Sequence, residues 1–234
     1  GPKDVNTLGY RARARRIAGV ANTRLGKFVE AERLLLGALS DDRAASGEHS
    51  REVGKDQIAL SKLYLQKGQA LPALAAADRA LAAVLPKFVP NPPNPANSPN
   101  HSNPPPLQFY EENTIFEALT AKAEAAKALF EKDGKISWLQ LAIECHEYAW
   151  QAESILRRVY QYSSSKLNLQ KDARAREEAA MHVARLLFEK TGQAIWLEKA
   201  FAIAERSKAA LLLDALQDNL VRQRLSGGDK RFDE

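Results

Sequence analysis

Leu129-Phe130-Glu131-Lys132-Asp133-Gly134 returns 58 residues later as Leu187-Phe188-Glu189-Lys190-Thr191-Gly192. The register continues: Trp138-Leu139 matches Trp196-Leu197, and Ala142 matches Ala200. Each hexamer ends an amphipathic stretch on a glycine, the residue that closes a helix in the left-handed conformation. Two more glycines, Gly26 and Gly68, punctuate the first half in the same way. The reading is four helical hairpins, about eight helices, and an all-α chain.

Composition agrees. Of 234 residues, 45% are hydrophobic, enough to bury a sizeable core. Ala, Leu, Glu, Lys, Arg and Gln dominate outside one proline-rich stretch, and these residues enter a helix at little cost. Runs rich in Val, Ile and Thr are missing, so almost no sheet is expected.

The first hairpin is expected from about Val5 to Leu39, with a core stripe of Tyr10, Ala14, Ile17, Ala18, Ala21 and Leu25. Phe28, Ala31, Leu35 and Ala38 follow Gly26 at helical spacing. The second hairpin places Ile58, Leu60, Tyr64 and Leu65 before Gly68, then Ala73, Ala77, Ala80 and Leu81, and stops at Pro86. In the second half, 136–162 reads as one helix that Ser163-Ser164-Ser165 breaks, capping the next.

The segment 86–106 holds nine prolines. It is excluded from helix and interior strand and is expected to be extended. Asn91, Asn94, Asn97, Asn100 and Asn103 recur every third residue, the period of a polyproline helix, and would share one edge. A solvated insertion is the plainer reading than a polar edge for a partner. Asn100-His101-Ser102 fits the glycosylation pattern, a short match of the kind chance supplies. The expected organisation is 3–85 a repeat pair, 86–106 the Pro/Asn loop, 107–225 two long hairpins, and 226–234 a tail leading toward a further domain. Gly1-Pro2 reads as a protease scar.

Charge narrows the function classes. Lys and Arg total 34 against 29 Asp and Glu, for +5, a mild excess for a nucleic-acid binder of this size. A single cysteine allows no internal disulfide, and no apolar run approaches the ~18 residues of a membrane span. The expected compartment is the cytoplasm.

No constellation for chemistry survives. Cys145 and His146 are adjacent, and on a helix they point about 100° apart. Cys145 also matches Ile203 in the internal repeat, an apolar position, so a buried thiol is expected. His146-Glu147-Tyr148-Ala149-Trp150 opens like the zinc-protease motif, but Trp150 replaces the second histidine. Glu178 and His182 are four apart, and a helix-surface pair is expected there. Trp138 and Trp196, just past their turns, are expected to pack between hairpins. Gly227-Gly228 has no strand before it and makes no phosphate loop. Neither a catalytic residue, a cofactor nor a metal is expected.

Both early hairpins resemble tetratricopeptide repeats. The resemblance rests on small residues at mid-helix (Gly19, Ser61), turn glycines (Gly26, Gly68), Phe28 after the first turn, and alanines Ala31, Ala38, Ala73 and Ala80. Small residues let helices approach and larger ones fill between repeats. Ala70 departs from the aromatic that Phe28 supplies, and Arg15 stands where the family has a large apolar residue, implying a solvated first repeat.

The stretch Trp196–Ala209, its continuation Leu211–Leu216, Ser165-Lys166-Leu167 before 172–181, and the Pro/Asn loop leading into Tyr110-Glu111-Glu112-Asn113 are similar to helices that precede the peptidase domain of bacterial CHAT-domain proteins. Those are caspase-like cysteine peptidases with tetratricopeptide repeats. The resemblance covers about 81–218 and implies a regulatory or sensing repeat region, its protease lying downstream and outside this chain.

Alignment on Gly26 and Gly68 puts Arg13, Arg16, Arg24, Lys55 and Lys62 on the face that this family uses for partners. Such a face favours an acidic protein or peptide segment. The family's carboxylate clamp needs asparagines where Val20 and Ala59 stand, so that clamp is not expected. The alternative function is a basic helical platform for nucleic acid in a defence complex.

Overall fold

The computed structural model describes residues 4–90, 102–159 and 163–208. Among them the chain is all-helical, with no strand. In order come α1 (Val5–Arg24), α2 (Phe28–Ser46), α3 (Arg51–Gln66), α4 (Ala70–Val84), a 3-10 turn (Pro106–Gln108), α5 (Asn113–Asp133), α6 (Ile136–Val159), α7 (Ser163–Thr191) and α8 over 195–208. Two compact units result, Gly1–Val159 and Tyr160–Glu234.

In the first unit each helix packs chiefly on its hairpin partner, α1 on α2, α3 on α4 and α5 on α6. The odd helices also touch in sequence, α1 with α3 and α3 with α5, so they form a row. Helix α4 packs on α5 across the Pro/Asn segment, so the packing of the repeat pair continues into the third hairpin. The boundary between the units falls at 159/160.

The turn chemistry is as read. Gly26, Gly68, Gly134 and Gly192 all have φ between 67° and 72°. The repeated hexamers end alike, with the Gly134 and Gly192 amides donating to the Phe130 and Phe188 carbonyls, each at 2.8 Å. Trp138 is buried, its indole N–H donating to Asp133 at 3.0 Å. Trp196 is only half-buried. Cys145 and its repeat-mate Ile203 are both buried, so the position is an apolar one in both copies.

The first helix corrects the expected stripe. Its buried residues are Leu8, Ala12, Gly19 and Thr23, while Tyr10, Ile17 and Leu25 are 76, 61 and 69% exposed. The cause is small-residue packing. A Cβ on Gly19 would sit 2.7 Å from the Leu35 side chain, so α1 turns its smallest residues to α2 and its larger ones away. Of the core expected elsewhere in the first two hairpins, Ala31, Leu35, Ala38, Ile58, Leu60, Ala73, Ala77, Ala80 and Leu81 are buried, and Phe28, Tyr64 and Leu65 are half-buried. Ser61 is buried as well, its hydroxyl donating to the Ala73 carbonyl at 2.9 Å.

Helix α2 runs past the expected end at Leu39 to Ser46, and the extension carries Asp41 and Asp42, both buried. Arg11 and Arg15 both pair with Asp41, at 2.5 and 2.6 Å. Arg15 is therefore half-buried in an ion pair and is no purely solvated cap.

The Pro/Asn segment returns to the core through its last residues. Asn103 accepts from the Cys145 thiol at 3.3 Å and donates to Glu144 at 3.0 Å. The Ser102 carbonyl accepts from Lys122 at 3.0 Å. Asn103 thus bonds to α6; Asn91, Asn94, Asn97 and Asn100, and with them the expected shared edge, lie outside the described residues, as do 211–216 and the tail 226–234.

Candidate functional site

The row α1–α3–α5 is lined by a groove made of two adjoining depressions, each of about 500 Å³. All five basic residues singled out from sequence line it. Arg13 belongs to the first depression, Arg24 and Lys62 to the second, and Arg16 and Lys55 to both.

The five are not equivalent. Arg13, Arg24 and Lys62 are exposed. The Arg16 side chain is only 14% exposed and is held by three carboxylates, Asp42 at 3.0 Å, Asp56 at 3.0 Å and Glu52 at 2.5 Å. Lys55 bonds the same Glu52 at 3.1 Å. Arg16 therefore joins α1, α2 and α3 as a structural hub, a correction to its assignment as a partner-facing cation. The signal in the sequence was Glu52 and Asp56, an acidic pair at i, i+4 on a helix face that is otherwise buried.

The first depression is lined by polar Asn6, Asp42, Ser46 and Glu52, and the second is mainly apolar. Ile17, Val20 and Ala21 come from α1, and Ile58 and Ala59 from α3. Val20 and Ala59, where a carboxylate clamp would need asparagines, contribute only hydrocarbon. Glu117 of α5 closes one end; burial raises its pKa, while Asn113, Lys62, Lys55 and Arg51 favour its charged form.

Asp56 is fully buried, and burial pushes its carboxyl up to about 8 against the pull of Arg16. Its Oδ1 accepts from Arg16, while Oδ2 is buried with no donor in reach. Oδ2 is the natural seat of a proton shared with Asp42, whose own carboxyl burial also raises. The folded chain keeps this proton between the ordinary carboxylate range and about pH 8, where the unfolded chain has lost it. The contribution is therefore fully present below the unfolded pKa and is lost as pH rises through the folded one. The denaturation midpoint of the wild type should fall from pH 6 to pH 9, and Asp56→Asn should flatten that slope. A wild-type slope unchanged in Asp56→Asn would move the proton elsewhere.

The other candidates for chemistry fail on geometry. The Cys145 thiol is fully buried and burial pushes it up to about 12, so no thiolate forms near neutral pH. Glu178 accepts from Arg174 at 2.8 Å, a helix-surface pair. Among the described residues no three His, Cys, Asp or Glu side chains are placed to hold a metal, and no helix is long and apolar enough to cross a membrane.

Comparison with protein-family models, curated proteins and solved structures gives no match. Among the described residues the groove combines an apolar patch, exposed cations at its rim and an ion-paired base.

Proposed function

We propose that the chain is a protein-interaction scaffold of tetratricopeptide type, without an active site, whose α1–α3–α5 groove receives a segment of another protein. One observation carries this reading: Arg24 and Lys62, among the cations chosen from repeat alignment alone, rim a depression whose floor is Ile17, Val20, Ala21, Ile58 and Ala59, and Arg13 lines the depression adjoining it. Apolar floor plus charged rim is the anatomy of a protein interface, where desolvated side chains supply affinity and rim charges supply orientation and speed. The likeness of 81–218 to helices that precede CHAT-type peptidases supports a regulatory or sensing role toward a caspase-like protease in the same polypeptide.

The test avoids Arg16. Arg24→Glu with Lys62→Glu should leave helix content unchanged, because both side chains are exposed. Proteins that co-purify with the wild-type chain from its native cells should be lost with the double variant. Identical partner sets from both would remove the groove from the function.

A nucleic-acid platform is the competing reading, and the hydrocarbon floor argues against it, since phosphate contacts need cations throughout the track. Binding to single-stranded RNA that weakens steeply with salt, and is abolished by the same double variant, would favour it instead.

A further inference from the structure

The side of α1 opposite its core contacts is apolar. Tyr10, Ala14, Ile17, Ala21 and Leu25 follow one another at spacings of four, three, four and four, and all are exposed. A helix at a protein surface ordinarily turns polar residues to water on that side. The ridge spans about 22 Å at the rise of an α-helix. It is continuous with the groove, because Ile17 and Ala21 also line the deeper depression. Arg13 and Arg24 flank the ridge on the groove side, and Lys62 stands across from it on α3.

We propose that this surface binds an acidic amphipathic helix of a partner protein, lying along α1 in the trough between α1 and α3. The proposal rests on the protein-binding reading above and names the conformation and charge of the bound segment. Two physical arguments select a helix. An extended peptide pressed on this floor would bury backbone amides and carbonyls against Ile17, Val20, Ile58 and Ala59, which offer no hydrogen bonds, whereas a helix satisfies its own backbone. Ala14 and Ala21 on the ridge are small enough for a second helix axis to come close. Charge selects acidity: the exposed rim carries Arg13, Arg24 and Lys62, and the carboxylates Asp42, Glu52 and Asp56 are engaged with Arg16. The one further carboxylate lining the groove, Glu117, is largely buried and faces Lys62, Lys55 and Arg51, so cations outnumber it. The bound helix would set Leu or Ile side chains at i, i+3, i+4 and i+7 on Ile17 and Ala21 and place Glu or Asp toward the three cations.

The experiment is fluorescence anisotropy on the whole chain with three synthetic probes of about 16 residues, roughly the ridge length at the helical rise. One is helical, with a leucine face flanked by glutamates. The second exchanges every glutamate for lysine, and the third keeps the glutamates but carries two central prolines. The helical acidic probe is expected to bind at least ~10-fold more tightly than either other probe, a difference of about 1.4 kcal/mol. Ile17→Asp, at an exposed position, and Arg24→Glu with Lys62→Glu should each weaken it ~10-fold or more with an unchanged far-ultraviolet spectrum. Equal binding of the proline-broken and helical acidic probes, both lost in Arg24→Glu/Lys62→Glu, overturns the helix and leaves the groove reading standing. Equal binding of the lysine probe overturns the acidic partner. Binding of every probe unaltered by both variants overturns the proposal and the groove reading together.

Discussion

Arg16→Glu should cost on the order of 3–5 kcal/mol of stability or more, a large part of what a domain has. Arg16 is the single cation that Asp42 and Asp56 share, and it bonds Glu52 besides. Replacing it with glutamate takes the counter-charge from Asp42 and the donor from Asp56, leaves Glu52 only Lys55, and adds a fourth carboxyl among them. Deeply buried carboxylates without a partner protonate or expel themselves into water, and either route disturbs the junction of α1 and α2 with α3. Urea denaturation at pH 7 reads the loss directly. Arg16→Met sharpens the argument, because its deficit should shrink at pH 5, where Asp42 can join Asp56 in the neutral form, and grow at pH 8, where Asp56 begins to ionise. An Arg16→Glu protein within ~1 kcal/mol of wild type would show that the network contributes nothing, since even an ordinary hydrogen bond is worth about that much. The consequence for function is practical: loss of binding in an Arg16 variant reports a damaged fold, so Arg24 and Lys62 are the positions that test the groove.

Lys122→Ala should be comparably severe, about 3–5 kcal/mol, for the same reason at a second place. Lys122 is completely buried on α5, 2.8 Å from Asp78 of α4. It also donates to the Ser102 carbonyl at 3.0 Å and lies 5.7 Å from the Phe88 ring centroid. One ammonium thus ties α4, α5 and the chain re-entering from the Pro/Asn segment. Removing it takes the ammonium from beside the buried Asp78 carboxylate. Lys122→Met with Asp78→Leu removes both charges and should recover most of the loss, as matched apolar replacement of buried pairs does. Cys145 offers a local readout. Asn103, next to the Ser102 anchor, covers its thiol, so native-state labelling by a disulfide reagent should accelerate in Lys122→Ala and return toward wild type in the double variant. A single variant as stable as wild type, with unchanged labelling, would reduce the Lys122–Asp78 pair to an ornament of the packing.

Part of this molecule was legible without coordinates. The hexamers ending at Gly134 and Gly192, the turn glycines Gly26 and Gly68 and the alanines at 31, 38, 73 and 80 are local signals, because a helix stop needs a positive φ and a close helix crossing needs a small side chain. Periodicity also placed the five cations on one face, since α1 and α3 carry them in helical register.

Which of two faces an amphipathic helix buries is a different question, and on α1 the apolar stripe pointed the wrong way. Tyr10, Ile17 and Leu25 form a better hydrophobic stripe than Leu8, Ala12, Gly19 and Thr23, yet the second set is buried. The choice was made by partners distant in sequence: Leu35 against Gly19, and Asp41 against Arg11 and Arg15.

The sequence by itself determined that the chain is helical, where its hairpins turn and which cations share a face, because backbone conformation and helical periodicity are properties of neighbouring residues. Only the tertiary structure decided that Arg16 belongs to the core while Arg13, Arg24 and Lys62 belong to the surface. A charge is worth little or much according to the carboxylates and solvent around it, and those are brought to Arg16 from 26 to 40 residues away.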